Sequence, residues 1–133
     1  MKMNSFRDLD AYKESKEIVK EVYRLLKSFP KEEQYALCDQ LRRAAISITS
    51  NIAEGSGRIS IKEKIHFLEI SYGSLMEVLS QLDIAKDLGY ITKEDFKQFE
   101  VKSSHVAALL SGLKRYFKKS LTQPQATNQA AGD

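Results

Sequence analysis

The sequence has few of the residues that interrupt helices or staple a fold. Of its 133 residues, two are proline, six are glycine and one is cysteine, and tryptophan is absent. Because a proline inside a helix costs roughly 3 kcal/mol, long stretches without proline permit long helices. The lone cysteine, Cys38, cannot form an internal disulfide, which fits a reducing compartment.

Long apolar runs are also missing. No stretch approaches the roughly 20 apolar residues of a membrane span, and the polar first ten residues do not resemble a secretory signal. We therefore expect a soluble cytoplasmic protein without a membrane partner. The net charge is only +3, but residues 92–120 carry seven basic and three acidic side chains, so positive charge is concentrated near the C-terminal end.

Four segments show apolar residues at helical spacing, and no segment alternates as a strand would. Short connections between long helices make neighbouring helices antiparallel. The sequence thus predicts an all-α fold, an antiparallel up-down-up-down four-helix bundle formed by residues 1–121. The segment 122–133 has no periodicity and is predicted to be a disordered tail. The predicted helices span about residues 9–28, 31–54, 61–88 and 93–119.

The predicted ends of the first two helices rest on local signals. Asp8 or Asp10 can cap the start of the first helix. Pro30 suits the start of the second helix. Gly55 and Gly57 can supply left-handed or flexible backbone that ends it.

The third and fourth helices have clearer start signals. Ser60 and Glu63 have the spacing of a capping box, in which each side chain satisfies a backbone amide near the other. Thr92 can open the fourth helix, and Ile91 and Phe96 occupy the two positions of a hydrophobic staple. The bundle-facing side of the third helix is predicted to comprise Ile65, Leu68, Tyr72, Leu75, Leu79 and Leu82.

A second apolar face lies opposite that side. At 100° per residue, Ile70 and Ile84 fall about 200° and 160° from Leu68, and Gly73 falls near 140°. On the second helix, Ile46 likewise points away from the bundle-facing residues. These four positions, Ile46, Ile70, Gly73 and Ile84, are the predicted oligomer interface.

Motifs along most of the chain resemble those of one known family. The most specific block is Gln40-Leu41-Arg42-Arg43-Ala44-Ala45-x-Ser47-Ile48-x-x-Asn51-Ile52-Ala53-Glu54-Gly55. It is flanked by Phe6-x-x-Leu9-x-x-Tyr12, Phe29-Pro30-x-x-Glu33-x-Tyr35-x-Leu37, Arg58, Phe67-Leu68, Gly73-Ser74 and Leu88-Gly89-Tyr90-Ile91. The chain resembles the four-helix-bundle family (S23) encoded by intervening sequences within bacterial 23S ribosomal RNA genes, over residues 6–116.

The resemblance implies a four-helix bundle that assembles as a homo-pentameric ring. It also implies similarity to the accessory variability protein of diversity-generating retroelements, which works with a reverse transcriptase and nucleic acid. The family has no established enzymatic activity. The tail lies outside the family pattern, so the resemblance implies nothing about it.

The candidate catalytic and metal-binding residues do not form a set. Glu63-x-x-His66 matches half of a di-iron bundle motif, but the only other histidine, His105, has Lys102 three residues before it. Cys38 has no histidine in local reach that could activate it. We therefore expect no catalytic residues, no metal, no cofactor and no small-molecule substrate, and hence no enzyme.

A polar group at the end of the second helix allows two interpretations. Asn51, Glu54 and Arg58 lie beside a glycine-containing turn, where they could contact a ligand or nucleic acid. Alternatively, Glu54 pairs with an arginine and stabilises the helix end.

Two basic clusters are candidates for binding phosphate: Arg42-Arg43, and Lys114-Arg115 together with Lys118-Lys119. The first cluster is the stronger candidate because arginine can hold phosphate with two parallel hydrogen bonds. The leading hypothesis is a non-enzymatic oligomeric scaffold that binds RNA, DNA or a nucleic-acid enzyme. The alternative is a protein–protein adaptor without nucleic-acid contact. The candidate nucleic-acid residues are Arg42, Arg43, Arg58, Lys114, Arg115, Lys118 and Lys119.

Overall fold

The computed structural model describes residues 5–122, which form four helices and two short 3-10 turns. Successive helices run in opposite directions. Helices α1 and α3 each pack against both α2 and α4, whereas α2 and α4 do not contact each other. This arrangement confirms the predicted all-α four-helix bundle. The helices are α1 (Asp10–Leu26), α2 (Leu37–Ser56), α3 (Ile61–Asp87) and α4 (Lys93–Thr122), and the turns are Phe6–Asp8 and Lys31–Glu33.

The core lies along the shared axis of the four helices. Each helix contributes apolar side chains to it at the spacing that periodicity predicts, for example Ile18, Leu41, Leu75 and Phe99, all fully buried. On the predicted bundle face of α3, Tyr72 lies at the edge, with 39% of its surface exposed. None of the described helices is long and apolar enough to cross a membrane.

The start of α1 differs from the prediction. Neither Asp8 nor Asp10 caps it: Leu9 occupies the cap position and makes no side-chain bond there. Instead, the Ser5 hydroxyl accepts a hydrogen bond from the Arg7 amide at 3.1 Å and caps the preceding 3-10 turn. The aspartate prediction was wrong because the chain makes this extra turn first, which places Asp8 outside α1.

Helix α2 begins at Leu37, six residues later than predicted, and ends at Ser56. A Glu33 carboxylate oxygen accepts from the Leu37 amide at 3.4 Å, and the other accepts from the Tyr90 hydroxyl at 2.8 Å. The second bond joins the α1–α2 loop to the α3–α4 loop. A contact between distant parts of the chain therefore helps set this helix start.

Gly55 does not end α2 as predicted. It lies buried within the helix, and a Cβ built on it would come within 2.8 Å of the Phe67 Cβ on α3. Its role is to let α2 and α3 approach closely. Gly57 follows the helix with ordinary right-handed angles, so left-handed backbone does not end α2.

The Thr92 cap of α4 is confirmed, and so is the serine half of the capping box of α3, but within residues 5–122 the Ser60 amide does not donate to the Glu63 carboxylate in return. The Ser60 hydroxyl accepts from the Glu63 amide at 3.3 Å, and the Thr92 hydroxyl accepts from the Asp95 amide at 2.9 Å. The staple residues Ile91 and Phe96 are both buried. Helix α4 continues through Thr122, so the predicted tail loses its first residue, and residues 123–133 lie outside the described part of the chain.

Candidate nucleic-acid interface

The predicted basic residues do not form one surface. Arg42 and Arg43 lie on the first half of α2, whereas Lys114 to Lys119 lie on the last turns of α4. Because α2 and α4 occupy diagonal corners of the bundle, one chain cannot present both clusters side by side. The antiparallel topology also places them toward opposite ends of the bundle.

The arginines of α2 already have partners within the chain. The Arg42 guanidinium donates to the Gln34 carbonyl at 3.0 Å. Arg43 lies 3.5 Å from the Asp39 carboxylate, but its side chain is 81% exposed, so this ion pair contributes little to stability. Together with Tyr23 and Ile46, the two arginines border a shallow depression on the outer surface.

Asn51 bonds within α2 to Ser47, which in turn contacts α3. Its side-chain amide donates to the Ser47 carbonyl at 2.8 Å and to the Ser47 hydroxyl at 2.9 Å. The Ser47 hydroxyl is in turn 2.8 Å from the Ser74 hydroxyl on α3. This arrangement supports a structural role for Asn51.

Glu54 and Arg58 form the pair that the structural interpretation predicts. The Arg58 guanidinium donates to the Glu54 carboxylate at 3.0 Å, and it lies over the Phe67 ring, 4.8 Å from the ring centroid. Arg58 thereby packs the turn after α2 onto α3. Its charge is partly used within the chain, which makes it a weaker candidate for binding phosphate.

Lys114 also has an internal partner. Its ammonium group lies 2.7 Å from the Glu69 carboxylate and joins α4 to α3. The hydrogen bond from Lys114 lowers the pKa of Glu69, with smaller contributions from nearby positive charges. Of the α4 basic residues, Lys114 thus contributes to holding the bundle together.

The remaining three cations form what we call the α4 cluster: Arg115, Lys118 and Lys119. All three are exposed, and within residues 5–122 none has a carboxylate oxygen within 4.0 Å. Residues 111–122 contain no acidic side chain at all. Lys118 acts on Glu69 at longer range and helps to lower the pKa of that carboxyl, but without a direct ion pair the α4 cluster leaves most of its charge available to an external anion.

Lys64 on α3 is a basic residue at the same end of the bundle that the sequence interpretation missed. It lies between exposed and buried, donates to the Ser56 carbonyl at 3.1 Å, and approaches the Phe117 ring at 5.9 Å. Its spacing from Leu68 could have revealed it, because residues four apart lie only about 40° apart on a helix. A charged residue on the apolar side of a helix is an unusual placement.

The matching family model is that of the 23S rRNA-intervening sequence protein, and it covers residues 7–112. The chain belongs to this 23S rRNA-intervening sequence protein family. A solved structure from the S23 ribosomal protein family, a protein of unknown function from Bacteroides thetaiotaomicron, is similar with a TM-score of 0.72 and 24% sequence identity. The similarity covers 79% of this chain and 95% of that one, and it supports the fold. The comparison with curated proteins gives no match.

The residues considered for catalysis are dispersed over the bundle. His66 and His105 are exposed on α3 and α4. Cys38 is buried, and burial raises the pKa of its thiol, which keeps the thiol protonated and unreactive near neutral pH. Within residues 5–122, no three histidine, cysteine, aspartate or glutamate side chains lie close enough to hold a metal ion.

Proposed function

We propose that this protein is a non-enzymatic, oligomeric scaffold that binds the backbone of RNA or DNA through the α4 cluster. The observation that carries the proposal is the exposure of Arg115, Lys118 and Lys119 without carboxylate partners in residues 5–122. Such cations attract phosphates and displace counterions from a nucleic acid. Repetition of the cluster around an oligomer would sum several small fields into a larger one.

Binding of this kind is directed at phosphates. The described elements are helices and short turns, and the cluster presents long flexible side chains on a helix end without a neighbouring recognition helix. Phosphate contacts position a protein on nucleic acid but carry no sequence information. We therefore expect similar affinity for unrelated sequences and a strong dependence on salt.

The α2 arginines are secondary in this proposal. Sequence reasoning placed Arg42 and Arg43 first, but both have partners within the chain. Arg43 is the more available of the two, because its contact with Asp39 is long and exposed. We expect its replacement to weaken binding less than replacement of the whole α4 cluster.

The test compares two triple variants with the same loss of charge. In the first, Arg115, Lys118 and Lys119 are changed to Gln. In the control, the exposed residues Lys13, Lys20 and Lys27 are changed to Gln. Retention on duplex DNA and on RNA is measured as a function of salt, and stability is measured beside it, because cations near a helix C-terminus also stabilise the helix.

Loss of three phosphate contacts should lower the logarithmic salt slope on duplex DNA by about 2–3, at about 0.9 per contact. The control variant should stay close to the wild type. If both variants weaken binding equally, the cluster has no special role. If the wild type is not retained on DNA or RNA near ~50 mM salt, nucleic-acid binding is refuted and the adaptor function takes its place.

The oligomer in this proposal uses the outward apolar positions. Ile46 and Ile84 expose 45% and 50% of their surfaces, Gly73 is exposed, and Ile70 is half-buried. Following the family resemblance, we propose a pentamer. Ile70→Lys with Ile84→Lys should dissociate it in light scattering, while Val101→Lys on α4 should not. An oligomer that survives the double change would exclude this face.

The adaptor function has one specific observation in its favour. The depression beside Tyr23 and Ile46 combines exposed apolar and aromatic surface with two arginines, a composition that is enriched in protein interfaces. An adaptor would use this depression and leave the α4 cluster unused. Tyr23→Ala would then weaken binding to a protein partner, and neither the wild type nor the variant would be retained on nucleic acid.

A further inference from the structure

One end of the bundle contains an apolar pocket of about 280 Å³. It lies where α1 and α3 begin and α2 and α4 end. Helices α2, α3 and α4 and the segment from Ser5 to Leu9 that precedes α1 contribute to its wall, and the exposed Ser56 marks where it reaches solvent. Its apolar lining consists of Phe6, Leu9, Ile52, Leu68, Leu113 and Phe117.

Among residues 5–122, one cation lines this pocket. The contacts of the Lys64 ammonium within that range are with the Ser56 carbonyl, at 3.1 Å, and with the face of Phe117. Within residues 5–122, no carboxylate oxygen lies within 4.0 Å of it. A cation that lacks a counter-charge beside an apolar surface favours an anion with an apolar body, because one ligand can satisfy both features.

We propose that this pocket binds a small amphiphile: a single acyl chain or compact aryl group whose carboxylate pairs with Lys64. The size fits, since an engineered apolar cavity of about 150 Å³ holds benzene and this pocket has nearly twice that volume. Two acyl chains of a phospholipid do not fit the same space. Lys64 exchanges the Ser56 carbonyl for the carboxylate, which is a stronger, charge-assisted partner.

The lining argues against a nucleobase as the occupant. A base needs hydrogen-bond partners along its polar edge once it leaves water. Besides Lys64, the polar side chains of residues 5–122 that line the pocket are those of Ser5 and Ser56. The Ser56 hydroxyl donates to the Ala53 carbonyl at 2.9 Å and so offers a ligand only an acceptor, while the Ser5 hydroxyl accepts from the Arg7 amide and keeps its single donor; these two groups do not match the several donors and acceptors along the edge of a base. An acyl chain has no such requirement.

The experiment measures binding of octanoate to the full chain by titration calorimetry, below the concentration at which octanoate forms micelles. Octanol serves as the neutral analogue. Lys64→Met keeps most of the side-chain length and removes the charge, and Lys62→Met is the matched control on the same helix, exposed and outside the pocket. Leu113→Trp fills the pocket, with its folding checked by circular dichroism.

We expect saturable binding of one octanoate per chain to the wild type. Lys64→Met should weaken octanoate at least about tenfold, as expected for loss of a charge-assisted hydrogen bond, and should change octanol less than about twofold. Lys62→Met should leave both ligands unchanged, and Leu113→Trp should weaken both.

Several results would overturn the proposal. They are absence of saturable octanoate binding, equal effects of the Lys62 and Lys64 variants, or equal loss of octanoate and octanol on changing Lys64. Displacement of octanoate by adenosine monophosphate would assign the pocket to a base instead. Binding to phosphatidylglycerol vesicles without binding to free octanoate would assign it to a membrane surface. None of these results depends on whether the α4 cluster binds nucleic acid.

Discussion

The buried carboxylate of Glu21 offers the sharpest test of the energetics of this bundle. Glu21 on α1 is only 8% exposed and accepts two hydrogen bonds from Arg24, at 2.5 and 3.1 Å. Arg24 also reaches Asp95 on α4 at 3.4 Å, and Lys102 lies 3.8 Å from Glu21. This network joins α1 to α4, which share no other ion pair within residues 5–122.

The expected cost of Glu21→Gln follows from this geometry. A hydrogen bond to a charged group contributes about 1.5–3 kcal/mol, and the 54% exposure of the Arg24 side chain lets water replace part of it. We therefore expect a loss of about 1–2 kcal/mol. For a domain of this size, that loss corresponds to a fall in Tm of roughly 3–9 °C.

The matched control is Glu17→Gln on the same helix. Glu17 pairs with Lys20 at the same three-residue spacing, but the two side chains are 52% and 72% exposed. Exposed pairs of this kind contribute little, so we expect a loss below about 0.5 kcal/mol. Urea and thermal unfolding followed by circular dichroism, at a fixed protomer concentration, measure both variants.

The pH dependence gives a second, independent readout. The hydrogen bond from Arg24 lowers the pKa of Glu21 in the folded state, against the opposing effect of burial. The stabilisation from Glu21 is thus present above its unfolded pKa of about 4.3 and is lost as pH falls through the lower folded value. The gap in Tm between wild type and Glu21→Gln should narrow on acidification. Equal losses for the two variants at pH 7, or a gap independent of pH, would refute this reasoning.

Three further predictions concern packing, reactivity and the tail. Gly55→Ala should cost about 1–3 kcal/mol in urea unfolding because its Cβ would meet Phe67, whereas Gly112→Ala, whose Cβ would make an ordinary 3.8 Å contact with the flexible Arg115 side chain, should stabilise by about 0.5–1 kcal/mol. Equal effects would contradict the close approach at Gly55. Cys38 should react slowly with a thiol reagent at neutral pH and rapidly in urea, since it is buried and its pKa is raised; fast reaction of the native protein would contradict its burial. Removing residues 123–133 should leave Tm nearly unchanged, and a large fall would show that the tail packs on the bundle.

Local patterns predicted most of the fold. Apolar periodicity located the four helices and their buried sides, and hydroxyl caps at Ser60 and Thr92 marked two helix starts within a residue. These features depend on residues three or four positions apart, which touch across one helical turn whatever the rest of the chain does. The family motifs can likewise be recognised from the sequence alone.

Contacts between distant residues were beyond such patterns. The sequence predicts that Gly55 ends the helix, yet in the structure its missing side chain leaves room for Phe67 of the next helix. The start of α2 depends on Glu33, whose carboxylate is also bonded to Tyr90, 57 positions away. Both involve elements whose approach no local signal specifies.

The candidate nucleic-acid interface likewise depends partly on the sequence and partly on contacts between distant residues. The sequence by itself determined which side chains could bind phosphate, because charge belongs to the residue. Only the tertiary structure decided which of those charges are available: Arg42, Arg58 and Lys114 bond within the chain, and within residues 5–122 the α4 cluster has no carboxylate partner. It also decided that Lys64 lies beside an apolar pocket formed by three helices and the segment that precedes α1. Availability and cavities arise from how helices pack, which is a property of pairs of elements and not of any single stretch of sequence.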